Sequence, residues 1–463
     1  MASRRDQLQS YQFLTQRVLS ALVMRETDPA QSPLRRGVGA VFVGIMVAVM
    51  VGAGFGIYGI LTKTGSTNWK AEGAVIVEKE SGASYVYQNG KLNPMLNYAS
   101  ALLVAGQPVP HVFRVAANSL AGMPRGVTRG IPGAPNSLPP GNRTVGLPWT
   151  LCSTLGIDDT GQQGAIATMV LGGAPTGARE LADNGLLVAD DAATYLIWRG
   201  RRYRLRQATT VVPILFGSAT ATRVGTAWTN GLPEGEDIAP IAKPTGTPTV
   251  NVSGHPVGSL LVATPASGNP LYYLVYPDGV VTLTALQASL VQPAPTKVTI
   301  DVDAGVSAPK SARQRGTGPD SAPANAPQLT SSSSDTLLCL RSDDARRPPV
   351  LTVGGKLDTA GAAPTRGHSA TGTAEANQIM IPAGHVAVVR TMSSPGGPPG
   401  ALELITDVGI RYSVPDDKVL QTLGYNPAKA VNVPGNLVHQ IPAGPALEPG
   451  GAARAAPLPG TPN

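Results

Sequence analysis

The sequence predicts a membrane-anchored α+β chain: a single transmembrane helix, then an exported β-rich central domain with four small degenerate strand/helix repeats. Three observations carry that reading. Residues 38–61 contain no charge, and the stretch beyond them repeats itself at a spacing of 109 residues. Gly (54) and Pro (43) together make up a fifth of the 463 residues, too many for a helical bundle and too few for a collagen. With 42% hydrophobic and 14% charged residues the chain has the apolar material for folded cores and lies outside the highly charged disordered class.

Taken in order, Leu8, Tyr11, Leu14, Val18 and Leu22 recur at intervals of three and four among Arg, Gln and Ser. They mark an amphipathic helix within residues 1–37 that stops before Pro29. It either lies on the inner membrane surface or packs against a cytoplasmic partner, and six Arg against three acids favour the partner. Residues 38–61, VGAVFVGIMVAVMVGAGFGIYGIL, rise about 36 Å as a helix, enough to cross a hydrocarbon core of about 30 Å. A long leader precedes this run and no A-x-A site follows, so it reads as an uncleaved anchor. Arg25, Arg35 and Arg36 precede it and Lys63 and Lys70 follow, which puts residues 1–37 in the cytoplasm and the remainder outside. Gly52 and Gly56, one helical turn apart, either let a second helix approach closely or are the ordinary glycine of membrane helices.

In the exported part, FRVAANSLAGMPRG (residues 113–126) matches TRVGTAWTNGLPEG (222–235) at an offset of 109. Upstream, Tyr85 and Gly90 match Tyr195 and Gly200 at 110. Similar strand, turn and aromatic patterns begin at Ser259 and Ala401, giving repeats at 62–109, 181–236, 255–293 and 391–444. Each reads as a β-hairpin with a short helix and a hydrophobic-Pro-x-Gly stop, the last seen at 123–126, 232–235, 381–384 and 441–444. A lone hairpin is not stable, so a central domain built from 110–180 and 294–390 is expected to supply shared core. Residues 304–334, 355–375 and 393–400 read as mobile loops and 445–463 as a flexible tail.

Cys152 and Cys339 are the only cysteines. In an oxidising compartment the pair reads as one disulfide, with two buried free thiols as the other reading.

The net charge of +7 does not point to nucleic acid, because outside residues 1–37 the chain holds 30 basic against 26 acidic residues. The one tight cluster, Arg199, Arg201, Arg202, Arg204 and Arg206, alternates with Tyr203 and Leu205 as on a strand's solvent face. There is no phosphate loop and no G-x-S-x-G nucleophile elbow. His111, His255, His368, His385 and His439 are scattered without metal-ligand spacing. The acid pairs Asp158 with Asp159, Asp190 with Asp191, and Asp416 with Asp417 suit turns and helix caps. No catalytic, cofactor or metal site is expected.

Several features in combination carry a family resemblance: RRDQLQSYQFLTQRV (4–18), the single span, GIPGAPNSLPP (130–140), WTLCS (149–153), four degenerate repeats, a distant second cysteine and LVHQIPAGPAL (437–447). The chain resembles the EccB family, a core membrane component of mycobacterial type VII (ESX) secretion systems. The resemblance implies an inner-membrane protein with a periplasmic β-rich domain whose four repeats are similar to a phage-lysin cell-wall-binding module. It implies a hexameric complex with EccC, EccD and EccE, pairing of the periplasmic domains, and a docked mycosin protease. Family members are often labelled ATPases, but the missing phosphate loop points to a scaffold rather than an enzyme, with EccC as the motor. The alternative function is a membrane-anchored cell-envelope ATPase or peptidoglycan-binding protein.

Overall fold

The computed structural model describes residues 4–24, 33–62, 67–108, 111–157, 161–314, 318, 320–333, 335–394 and 396–457. Arg25, Pro29, Lys63, Asp158 and Asp159 lie outside the described residues. The chain divides into two units, residues 1–70 with 115–121, and residues 71–114 with 122–463.

The first unit is helical. Helix Arg4–Met24 leaves Leu8, Tyr11, Leu14, Val18 and Leu22 more than half exposed. Phe13 (61%) is exposed as well, so the apolar surface is broader than the five-residue stripe. Helix Pro33–Thr62 has 30 residues and a length of about 45 Å. It starts before the uncharged run because a proline fits the first turn, where its missing N–H has no helical partner. Its segment Gly37–Tyr58 has a mean hydropathy of 2.4 and none of it is buried within the chain. A 3₁₀ turn, Thr67–Lys70, and a short helix, Ala117–Leu120, complete this unit.

The second unit is built on a seven-stranded sheet. Its order is Ala363–Pro364, Gln378–Met380, Gln163–Leu171, Trp149–Ile157, Leu338–Ser342, Val350–Val353, Arg179–Glu180. The two longest strands pair antiparallel from Trp149 opposite Leu171 to Ile157 opposite Gln163. Around this sheet stand four smaller ones, each four-stranded and each with the order third, second, first, fourth.

Every repeat is therefore larger than a hairpin with a helix. Three antiparallel strands form a meander, a helix crosses back, and a fourth strand joins the free edge of the first. The strands are Val75–Glu78, Ser84–Gln88, Lys91–Met95 and Val112–Val115 in repeat 1, and Leu186–Ala189, Thr194–Trp198, Arg201–Arg204 and Thr222–Arg223 in repeat 2. Repeat 3 uses Leu260–Ala263, Leu271–Tyr276, Gly279–Leu283 and Lys297–Ile300, and repeat 4 uses Val386–Met392, Pro399–Thr406, Arg411–Val414 and Val431–Pro434. The fourth strand is parallel to the first in repeats 2, 3 and 4, which is why a helix must intervene. The crossover helices are Tyr98–Ala105, Ala208–Phe216, Ala285–Ser289 and Asp417–Thr422. Their starts are legible where polar caps occur: Asn97 accepts from Ser100 N–H, Asp416 from Val419 N–H, and Thr284 forms a capping box with Gln287.

These strands move three boundaries. Val112–Val115, read as central domain, is the last strand of repeat 1. Lys297–Ile300, read as central domain, is the last strand of repeat 3, and the first strand of repeat 4, Val386–Met392, begins five residues inside what was read as central domain. The pattern at Ala401 is the second strand of its repeat, whereas that at Ser259 leads into a first strand; the likeness was displaced by one strand because alternation looks the same in both. The tail is also corrected over residues 445–457. Leu447 and Ala452 are fully buried, and helix Pro449–Ala453 packs on helix Tyr98–Ala105. Small Ala and Gly residues allow that close packing, and their low hydropathy hid it.

The cores form a chain of contacts. Trp149, Leu151, Met169 and Leu340 of the central sheet share one cluster with Trp228 and Val188 of repeat 2 and with Leu437 and Val389 of repeat 4. The other face of repeat 4 shares a cluster with repeat 1, through Leu404 and Leu420 against Val86 and Leu102. Repeat 2 in turn meets Leu286 and Leu290 of repeat 3.

Candidate functional site

Cys152 and Cys339 sit directly opposite each other on neighbouring antiparallel strands of the central sheet, with Cα atoms 4.0 Å apart, and are bridged. Both are buried, on the opposite sheet face from their strand neighbours Leu151, Leu338 and Leu340. The bridge joins the strand that follows repeat 1 to the strand that follows repeat 3. Gly52 and Gly56 lie one turn apart on the exposed apolar helix, and a Cβ at either would meet no atom of the described residues within 4 Å beyond its chain neighbours and the backbone of its own helix. The expected transmembrane packing pair is thus open to a neighbour.

The arginine cluster is a set of ion pairs. Arg199 meets Asp183, Arg201 meets Asp320 at 2.6 Å, Arg202 meets Glu234 at 2.5 Å and Arg206 meets Asp237 at 2.6 Å. The acid pairs serve local structure. Asp190 accepts from Ala192 and Ala193 N–H and from the Thr229 hydroxyl, while Asp191 pairs with Arg223. Asp416 caps its helix and Asp417 pairs with Arg390.

The hydrophobic-Pro-x-Gly motif has a definite geometry. In three repeats it lies as a parallel bridge along the third strand: Leu92, Arg202 and Arg411 each donate their N–H to the Pro carbonyl (Pro124, Pro233, Pro442) at 2.8 to 3.0 Å. The Gly N–H (Gly126, Gly235, Gly444) returns a bond to the same residue's carbonyl at 2.8 to 2.9 Å. In repeat 3 the sequence is Ala308-Pro309-Lys310-Ser311, with the same two bonds to Val280. Glycine is needed where the next third-strand residue is large. A Cβ on Gly235 would come within 2.3 Å of the Tyr203 ring, and one on Gly444 within 2.4 Å of Tyr412, whereas Ser311 follows Val280 and Val281. The motif at 381–384 does not dock this way; it precedes the first strand of repeat 4, and Gly384 N–H donates to Asp407.

One position on the second strand, two places along from that dock in the register, meets a cation in every repeat. It is Tyr85, Tyr195, Tyr273 and Glu403. In repeats 1 and 3 the cation follows the motif's Pro, before Gly126 in one and Ser311 in the other: Arg125 lies 5.2 Å from the Tyr85 ring and Lys310 lies 4.6 Å from Tyr273. In repeats 2 and 4 it comes from the third strand: Arg202 lies 5.7 Å from Tyr195, and Arg411 Nη1 donates to Glu403 at 3.2 Å. The two sources are bridge partners, so either can reach the same ring or carboxylate.

Sequence reasoning missed Glu375, which lay inside an expected mobile loop. Its side chain lines both a polar cleft of about 360 Å³ beside Arg223 and Thr226 and a more apolar one of about 520 Å³ against repeat 4. Burial pushes its carboxyl above the ordinary range, with Arg411 and His368 opposing. Loop residues 365–376 are pinned in place: Thr365 N–H donates to the Asn377 carbonyl, Glu375 N–H to Gly367 and Ala376 N–H to Gln440. No apolar period signals such an ordering, because backbone hydrogen bonds supply it.

Comparison with known proteins places this architecture. The family model described as type VII secretion system ESX-1, transport TM domain B, matches residues 1–457. The chain is 28% identical over 483 aligned residues to the ESX-2 secretion system ATPase EccB2 of Mycobacterium tuberculosis, covering 96% of this chain and 93% of the relative. It is 27% identical over 480 to the ESX-3 secretion system ATPase EccB3 of Mycolicibacterium smegmatis, covering 97% and 90%. Among solved structures it is similar to a chain of an intact ESX-5 inner membrane complex, with TM-score 0.57, 25% identity, and 100% and 98% covered. A chain of the EccB3 dimer from the ESX-3 core complex gives TM-score 0.56 and 26% identity, with 82% and 100% covered.

Proposed function

The chain belongs to the EccB family of type VII secretion membrane components, and from that premise we propose how its parts are used. It is a structural core subunit of an ESX secretion membrane complex, anchored by one apolar helix and associating with other ESX components and with itself. Our reading assigns residues 1–37 to the cytoplasm and the β-rich unit to the periplasm, on the strength of the arginine asymmetry around the span. EccC, EccD and EccE are the membrane partners in this reading, and a mycosin protease docks on the exported unit. Gly52 and Gly56 face a neighbouring helix, and residues 1–37 bind a cytoplasmic partner through the exposed face of helix Arg4–Met24. The protein acts by holding span and periplasmic modules in register rather than by turnover.

The observation that carries this reading is the 22-residue apolar helix segment with no part buried in its own chain, in the same polypeptide as a disulfide-locked repeat body. Copurification from membranes in mild detergent should recover a heteromer containing EccC, EccD and EccE. Recovery of the protein alone, retained on purified cell wall, would favour the peptidoglycan-binding alternative. ATP hydrolysis in stringently purified protein that a periplasmic point substitution abolishes would favour the ATPase.

A further inference from the structure

The central sheet has one length of strand edge that the described fold leaves uncovered. Along strand Gln163–Leu171 the backbone groups of successive residues turn to opposite edges. Gly172 N–H donates to the Pro148 carbonyl, so by that alternation the even-numbered residues bond strand Trp149–Ile157 and the odd-numbered ones face away from it. On the outward side, strand Gln378–Met380 pairs with Thr168, Met169 and Val170. Asn377 then closes Ala167 twice: its N–H donates to the Ala167 carbonyl at 2.8 Å, and its Oδ1 accepts from Ala167 N–H at 2.9 Å. Ala165 and Gln163 come next on the same side, and among the described residues nothing bonds their outward N–H and C=O groups. They open into the polar cleft of about 360 Å³, whose lining also includes residues 223–227 of repeat 2 and Gly367 with Ala374. Glycine keeps this wall flush with the strand. Gly225 N–H is held by Ser153 Oγ at 3.0 Å, and a Cβ on Gly225 would come within 3.2 Å of the Ala165 carbonyl oxygen.

We propose that this cleft receives an extended segment of a partner protein, rich in small polar residues, which adds a short strand to the sheet at Gln163 and Ala165. Two N–H and two C=O groups, in rungs about 7 Å apart, match the donors and acceptors of another extended backbone. Strand Gln378–Met380 already pairs with the same edge farther along. Charge does not select the occupant, because Arg223 is paired with Asp191, and Arg411 and His368 oppose the charge of Glu375. The larger apolar residues of the lining, Ile166 and Val224, are buried, so an aromatic or long aliphatic side chain would find little apolar surface there. The proposal rests on the reading of the chain as a subunit held by other proteins, but it concerns a binding property of the isolated chain.

The test uses the purified, oxidised full chain in detergent and a dye-labelled hexapeptide of alternating threonine and serine, followed by fluorescence anisotropy. A second probe carries N-methyl groups on its four central amides, which removes the donors and keeps the side chains. The unmethylated peptide should bind about tenfold more tightly. Ala165→Pro removes one outward donor and costs the ladder nothing, since Ala165 lies opposite Leu155 in a pair that exchanges no bonds. It should bring the two probes within about twofold of each other, with an unchanged circular dichroism spectrum. If that variant does not fold, discrimination between the two probes by the unmodified chain still decides. A third probe with phenylalanine in place of threonine should bind more weakly than the threonine peptide. Equal binding of the first two probes overturns the proposal, as does a preference that survives Ala165→Pro, tighter binding of the phenylalanine peptide, or no binding at millimolar peptide. A dimer in light scattering that Ala165→Pro dissociates would assign the edge to a second copy of the chain and overturn the partner assignment. Copurification with ESX partners is measured separately, so failure of either reading is distinguishable from failure of the other.

Discussion

Single residues decide how the repeats close. Gly444→Ala or Gly235→Ala would drive a methyl group into a buried tyrosine ring and should cost roughly 1 to 3 kcal/mol. The same dock in repeat 3 already accepts a side chain, so Ser311→Ala should be milder, losing mainly the bonds from the Ser311 hydroxyl to Asp278. Chemical denaturation of the three variants side by side reads the difference. Glu375 gives a pH test. Its folded pKa is raised, so its contribution to stability is fully present below the ordinary value of 4.5 and is lost as pH rises through the folded value. Glu375→Gln should therefore be more stable than the parent at neutral pH, with the gap closing as pH falls through the folded value towards 4.5. A gap independent of pH would contradict that origin. The glycines were visible in the sequence as part of a recurring motif; the reason for them was not, because it lies in which ring stands opposite.

At the scale of elements, the repeats were legible because spacing survives where identity does not. Arg114 and Arg223, Pro124 and Pro233, and Gly126 and Gly235 kept their order and offset. The fourth strand was not legible. Thr222–Arg223 has only two residues, too short to show alternation, and it pairs in parallel with a strand some 34 positions earlier. The disulfide was read from the number of cysteines and their apolar surroundings, but the direct cross-strand opposition of Cys152 and Cys339 could not be, since strand register depends on contacts 187 residues apart. Closing so long a loop limits the unfolded chain, and removing the bridge with Cys152→Ser and Cys339→Ser should lower stability by up to roughly 5 kcal/mol. Denaturant unfolding of the double variant against the oxidised parent measures it. The sheet itself should persist, since neighbouring pairs from Leu338 with Ser153 to Ser342 with Trp149 hold the same register.

For the whole molecule, the anchor was the clearest signal in the sequence and the order of the modules the least clear. Repeat 1 shares its core with repeat 4, and repeat 2 with repeat 3, while repeats 2 and 4 both join the cluster of the central sheet, an arrangement set by which faces are apolar rather than by sequence order. Deletion of residues 1–37 should weaken incorporation into the ESX complex while leaving the β-rich unit folded, because none of its clusters draws on those residues. Blue-native electrophoresis of membranes, with protease resistance of the β-rich unit as the folding control, tests this; full assembly of the truncated chain would remove the proposed role of its first helix. The position of the disulfide also decides which parts of the chain bear tension. If the anchor and the C-terminal residues are drawn apart during transport, the shared core of repeats 1 and 4 takes the pull first, and once it yields, force runs from repeat 1 through the sulfur bridge directly to repeat 4. The chain between the two cysteines, a sequence separation of 187 and about 650 Å of extended backbone, then hangs outside the load path, so repeats 2 and 3 are shielded from a pull that repeats 1 and 4 must withstand.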